Sequence, residues 1–314
     1  MSESFYAAVR VVLPMALLMA LGYFVRERDI IDRVSMKRYD GLIFRLFMPV
    51  MLFRNIYELD MSAGPDKSEF IFAGLGVVAI FAVALTLPRR LIKDGNKAAS
   101  LGHAIIRSNY ILFGTAVAEG LYGNGNAGAV ALLGSLVIPM TNAFGAIILE
   151  MNRSGRGVSP VKLFISIMKN PMVVATLAAF AMKAVPFGIP ETIRAVINGL
   201  AGATTTVSFI SLGVGLDMKE AMADMRPLAW GLLVKMILIP AVFLPLSVAL
   251  GFRGPTLCAL MVLFAAPTAV ASYPMAVAMG ADGPFAAQLV CATTFLSLPT
   301  MFLCTFLLRG MGVL

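Results

Sequence analysis

Arg107 and Asn109 stand two residues apart in the apolar stretch RSNYILFGTAVAEGLYG, which also carries Gly114 and Glu119. Far along the chain, AAPTAVASYPMAVAMGA places Pro267, Ser272 and Pro274 in a second apolar stretch. Asparagine, glycine and proline loosen a helical hydrogen-bond ladder, proline because it has no N–H and clashes with the preceding turn. Backbone freed at membrane depth is tolerated only where protein or a water-filled cavity surrounds it. Two such breaks meeting near the midplane would present half-helix N-termini, with free N–H groups and partial positive charge, to a negative ligand. Read singly, each proline is equally well a kink, since Gly and Pro are frequent in transmembrane helices.

Ionisable side chains inside apolar segments are expensive and suggest function, although snorkelling relieves many of them. A guanidinium at Arg107 can grip a carboxylate through two hydrogen bonds, or else pair with lipid phosphate or loop carbonyls. Glu119 can carry a coupling proton or simply reach external water. Lys235 can lose its proton and act as a carrier of one, or form a structural salt bridge for which Asp217 lies too near the segment end. Arg45 needs a partner that scaffold packing explains equally well. His103, the one histidine, is expected at the inner interface. Asn142, Thr293, Thr294 and Ser297 are further polar candidates beside the breaks. No catalytic residue, cofactor or metal is expected: GxxxxGK[ST], HExxH, a Ser-His-Asp pattern and metal-spaced His/Cys clusters are all missing from the sequence. Cys258, Cys291 and Cys304 lie in apolar runs without CxxC spacing and read as packing residues.

The elements that must position these groups follow from composition. Of 314 residues, 59% are apolar and 13% charged, and the mean hydropathy is +0.88. A soluble surface needs about twice that charge. An ordinary soluble enzyme, a disordered chain and a nucleic-acid binder are excluded despite the net charge of +8. Apolar runs bounded by charge, Gly or Pro predict ten transmembrane helices, at 5–25, 39–57, 70–88, 98–122, 127–150, 170–186, 195–216, 228–250, 255–279 and 285–308. The sixth is short and has an amphipathic approach, KLFISIMK. These runs are too long and continuous for barrel strands. Placing both termini outside puts fifteen basic residues on the cytoplasmic side against six opposite, the asymmetry expected of an inner-membrane protein. The opening MSESFYAAV has no Lys or Arg, so the first span is expected to remain in the mature protein.

The two halves, 1–157 and 158–314, answer each other. Pro14-Met15 recurs as Pro171-Met172, Asp60-Met61 as Asp217-Met218 and Gly123 as Gly280, all at a shift of 157 residues, and Pro139 matches Pro299 after a three-residue slip. Five spans per half force the second copy to insert upside down, so the expected architecture is an all-α polytopic membrane protein of two inverted five-helix repeats, with spans 4 and 9 broken and crossed.

The stretch LPMALLMALGYFVRERDIIDRVSMKRYDGLIFRLFMPVMLFRNI resembles the first two spans of the auxin efflux carrier family. SNYILFGTAVAEGLYG is similar to its first crossover, and AAPTAVASYPMAVAMGADGPFAAQLVCATTFLSLPTMFL to its second. The resemblance covers nearly the whole chain. It implies ten spans related to the sodium/proton antiporter and bile-acid symporter folds. A scaffold of spans 1, 2, 6 and 7 would support a transport unit of spans 3–5 and 8–10. Asn109 and Gly114 carry over from the first motif, and Pro267, Ser272 and Pro274 from the second. Where the family has Gly-Leu-Pro, this sequence reads Gly114-Thr115-Ala116, so half of the paired-proline signature is absent. In related sodium-coupled carriers a cation binds where the Lys235 ammonium can sit.

The function implied is secondary active transport of a small organic anion, such as malonate, malate or an auxin-like acid, by alternating access. A sodium-coupled symporter of the bile-acid type and an anion channel are the alternatives. The other partners expected are the lipid bilayer, a coupling proton or sodium ion, and a second copy in a homodimer. Span 7, INGLAGATTTVSFISLGVGLD, is rich in small residues that let helix backbones approach, which suits either a sliding surface or ordinary tight packing.

Overall fold

The first long helix, α1 (Ser2–Glu27), is followed by a helix that changes pitch twice without stopping. Here α2 (Arg33–Leu42) runs through a π-helical turn, Ile43–Phe47, into α3 (Met48–Tyr57). The turn has a cause in sequence, because Pro49 cannot donate to the carbonyl four residues before it, that of Arg45. The same device recurs where α11 (Met225–Leu232) passes through Leu233–Leu238 into α12 (Ile239–Ala249), with Pro240 as the missing donor. This is a computed structural model describing residues 2–31, 33–58, 67–123, 127–153, 160–184, 188–216 and 225–314.

Between and beyond those lie α4 (Lys67–Leu91), α5 (Gly95–Ile106), α6 (Tyr110–Tyr122), α7 (Gly128–Arg153), α8 (Pro160–Met168), α9 (Pro171–Ala184) and α10 (Glu191–Gly215). The chain ends with α13 (Gly254–Ala265), α14 (Ser272–Ala278) and α15 (Gly283–Gly310). All regular structure among the described residues is helical. Five stretches, Lys67–Leu91, Gly128–Asn152, Glu191–Gly215, Met225–Ala249 and Gly283–Gly310, are long and apolar enough to cross a bilayer. Their outer faces carry exposed Leu75, Ile71, Val242, Ile237 and Leu303, an apolar surface suited to lipid. The amphipathic approach to the sixth predicted span is a separate helix, α8. Asn170 then starts α9, its side-chain oxygen accepting from the Met172 amide at 2.9 Å.

Two packed groups emerge. In one, α1 packs on α10, and α3 packs on both α9 and α10. The crossing of α1 and α10 needs glycine on both sides: a Cβ on Gly22 would overlap the Ile210 carbonyl, and one on Gly213 the Met19 carbonyl. In the other group α4, α5 and α7 pack together, and α13 packs on α6, α7 and α12. Gly202 in α10 has open space before it instead, so the small residues of that helix serve two purposes. Cys258 and Cys291 are buried free thiols and Cys304 is a half-buried one.

The repeat pair Asp60-Met61 and Asp217-Met218 lies outside the described residues. Gly123 and Gly280, the third pair, both adopt positive φ, 93° and 78°. Each follows the second half of a broken helix, where a left-handed residue suits a C-terminus.

Candidate functional site

The helix from Gly95 stops at Ile106, and three non-helical residues, Arg107, Ser108 and Asn109, precede α6. The helix from Gly254 stops at Ala265, and α14 begins only at Ser272. Broken ends leave backbone groups that must be satisfied inside the protein. They are satisfied mutually. The Asn109 amide donates to the Pro267 carbonyl at 2.8 Å. The Thr268 hydroxyl donates to the Ala104 carbonyl at 3.0 Å, and the Thr268 amide to the Thr293 hydroxyl at 3.2 Å. The Lys235 ammonium donates to the Ile105 carbonyl at 3.2 Å. A cation at the C-terminal end of α5 opposes the negative end of that helix dipole.

A cavity of about 310 Å³ opens beside this crossing. One wall is the first break with Tyr110, Ile111 and Leu112 of α6 and with Thr141 and Asn142 of α7. Ala269, Val270 and Ala271 of the second break line it too, and Met51, Arg54 and Asn55 of α3 with Gly202 and Thr205 of α10 face them. Several polar atoms concentrated there lack partners among the described residues. Arg107 is 5% exposed, and its Nε, the Ser108 hydroxyl and the Asn109 side-chain NH₂ have no hydrogen-bond partner among the described residues. The Asn142 amide donates to the Ile138 carbonyl at 2.9 Å, leaving its oxygen unpaired. At the first turn of α6 the amides of Tyr110, Ile111 and Leu112 are those a helix leaves without an intrahelical acceptor. Buried donors without acceptors cost free energy that a bound anion would recover. A larger groove of about 630 Å³ between α12 and α15 is lined by Pro240, Leu244, Leu303 and Leu307 and offers nothing for a charge.

Residues 7–305 match the family described as membrane transport protein. The chain belongs to that family, the auxin efflux carrier family. Three curated relatives, all called uncharacterized transporter YfdV, come from Escherichia coli strain K12, Escherichia coli O157:H7 and Shigella flexneri. Each is 24% identical over 263 residues, covering 82% of this chain and 83% of its own.

Within this membrane transport protein, the residues singled out from sequence divide sharply. Arg107, Asn109 and Asn142 line the cavity. Gly114 does not: it packs on Val130, whose methyl group would collide with any Cβ there. Pro267 supplies the carbonyl that holds Asn109. Pro274 was expected to interrupt the helix, yet it is the third residue of α14, in a first turn whose N–H groups lack helical acceptors in any case. Ser272 is 1% exposed and its hydroxyl is unpartnered, but it stands behind the cavity lining. The expectation of two half-helix N-termini facing a ligand reduces to one. The Ser272 and Tyr273 amides bond back to Ala269 and Val270 at 2.9 and 3.3 Å, leaving α6 as the open terminus.

Thr294 and Ser297 spend their hydroxyls on their own helix, donating to Val290 at 2.7 Å and Thr294 at 2.6 Å. Glu119 is half-buried in the last turn of α6, away from the cavity. Arg45 sits on the π-helical turn with its side chain exposed, so neither the site nor core packing uses it. His103, expected at the inner interface, is buried inside the protein. It is 1% exposed, its ring against Gly145, because the glycine leaves room for an imidazole. Sequence reading passed over Ser108, Thr141 and Thr205, which lack charge, and Arg54, which it counted only among the six basic residues on the outer side. Arg54 lines the cavity from α3 and pairs with Glu58 at 3.5 Å. Thr268 was legible in principle, since it directly follows Pro267.

Proposed function

We propose that this membrane transport protein is a secondary carrier of a small organic anion, a carboxylate of the malonate or malate class, working by alternating access at the crossed breaks. The observation that carries this reading is the set of buried, partnerless donors on Arg107, Ser108 and Asn109 facing a cavity of about 310 Å³. That volume lies at the small end of ligand pockets. Arg107 grips the carboxylate, Asn109 and Ser108 donate beside it, and the α6 N-terminus adds its dipole.

Ten spans in two inverted repeats, 1–157 and 158–314, are the architecture of this reading. The packing of α1 on α10 and of α3 on α9 and α10 supports a scaffold of spans 1, 2, 6 and 7, and the paired positive-φ glycines support the repeat. The carrier sits in the cytoplasmic membrane with both termini outside. It performs no catalysis. The Lys235 ammonium, fixed at the Ile105 carbonyl, stands as a tethered positive charge at the crossing, which disfavours a sodium ion there. Counterflow of radiolabelled malonate in proteoliposomes tests the reading. Saturable counterflow independent of sodium is expected. Unitary currents, or uptake that collapses without sodium, would replace it by a channel or a sodium-coupled symporter.

A further inference from the structure

Asp40 is a carboxylate 1% exposed on α2 and is not among the residues that line the anion cavity. The hydroxyl of Ser211, on α10, donates to it. The hydroxyl of Tyr273, on α14, hydrogen-bonds the same carboxylate. Ser211 is fully buried and Tyr273 is 5% exposed. Room for the Tyr273 ring comes from Gly215, where a Cβ would overlap the hydroxyl. The three elements meet pairwise, α2 on α14, α2 on α10 and α10 on α14. Among the described residues, the group facing this triad with a charge is Arg26 at the end of α1, whose guanidinium also donates to the Leu216 carbonyl.

This arrangement joins the two packed groups of helices. Asp40 lies on α2, which packs on α10 and runs on into α3, and Ser211 lies on α10 itself, which packs on α1, whereas Tyr273 belongs to the half-helix that follows the second break. A carboxylate accepting two O–H groups makes charge-assisted bonds, roughly twice as strong as neutral ones. Protonation removes the charge and one acceptor position while adding a donor. Tyr273 then loses its anionic partner, and α14, only seven residues long, loses its tie to α2.

We infer that Asp40 is a proton-binding site, and that it couples the carrier to protons by latching Tyr273 when ionised and releasing it when protonated. The inference rests on the alternating-access reading for its coupling role. The latch itself is separate from substrate chemistry. One proton adds to the Asp40 carboxylate from water as the latch opens and leaves it as the latch closes.

Amide hydrogen exchange of the full-length protein in lipid nanodiscs, followed in peptides covering 272–280 and corrected for intrinsic rates, reads the latch without substrate. In the wild type these amides are expected to exchange about tenfold faster at about pH 5.5 than at about pH 7.5, the loss of one charge-assisted bond. Asp40→Asn should exchange fast at both values. An Asp40→Asn protein retaining the wild-type rates and pH dependence would overturn the inference. Tyr273→Phe leaves the carboxylate in place and should also be fast at both values; slow exchange in that variant at high pH would equally overturn it. Proteoliposomes address coupling. An imposed pH gradient should redistribute malonate with the wild type and not with Asp40→Asn, and redistribution by the variant refutes a coupling role. Absence of malonate counterflow in the wild type would instead remove the proposed substrate class, leaving the exchange experiment to decide the latch.

Discussion

The Asn109 amide donates to the Pro267 carbonyl at 2.8 Å, tying the break in one helix to the break in another almost 160 residues away. Each break thereby satisfies part of the other, while the first amides of α6 stay open. The same tie holds Asn109 with its side-chain NH₂ unpartnered and adjacent to Arg107, which is the geometry an anion site requires.

Arg107→Ala removes the one buried guanidinium of the first break. A hydrogen bond to a charged group contributes about 1.5–3 kcal/mol, so malonate counterflow should fall by about ten- to a hundredfold at matched protein level. Thermal stability without substrate should change little or rise, because the lost group had no partner at Nε. Transport equal to wild type would exclude Arg107 from the site.

Lys235 separates a structural from a transporting role. Lys235→Met leaves the Ile105 carbonyl without its donor and should cost about 1–3 kcal/mol, seen as a lower melting temperature in detergent. Lys235→Gln can still donate and should recover most of that loss. A methionine variant as stable as wild type would show that the contact contributes nothing.

For the second break the decisive residue is Thr268, not Pro274. Thr268→Val removes the hydroxyl bond to Ala104 and should lower stability by about 1–2 kcal/mol, with slower turnover. Pro274→Ala should leave malonate kinetics within about twofold, because a first helical turn accepts either residue. Loss of transport in Pro274→Ala would restore the proline as the cause of the break.

Glycines in α10 offer an internal control. Gly213→Ala drives a methyl into the Met19 carbonyl, forces α1 from α10 and should cost about 3 kcal/mol or more. Gly202→Ala meets nothing within 4 Å and should raise stability by about 0.5–1 kcal/mol, as a helix-interior change of this kind does, while narrowing the cavity. Comparable melting temperatures for the two variants would contradict the crossing of α1 and α10.

Hydropathy, breakers and the family's motifs were enough to place a polytopic helical transporter with interruptions near Asn109 and Pro267. That information is local: an apolar run of about twenty residues has few alternatives to a spanning helix, and a Pro or Asn within it weakens the ladder wherever the chain goes. Arg107, Asn109 and Asn142 were readable for the same reason, being polar in segments where polarity is costly. What a polar residue faces is not local. Glu119, Arg45 and Thr294 have the same chemistry as the cavity residues, yet their helices turn them elsewhere. The burial of His103 could not be read from sequence either, because it depends on Gly145 on a neighbouring helix leaving space for its ring. Only the packing of α2, α10 and α14 brings Asp40 to Ser211 and Tyr273, because residues 171 and 233 positions apart have no signal in common until the helices bearing them touch.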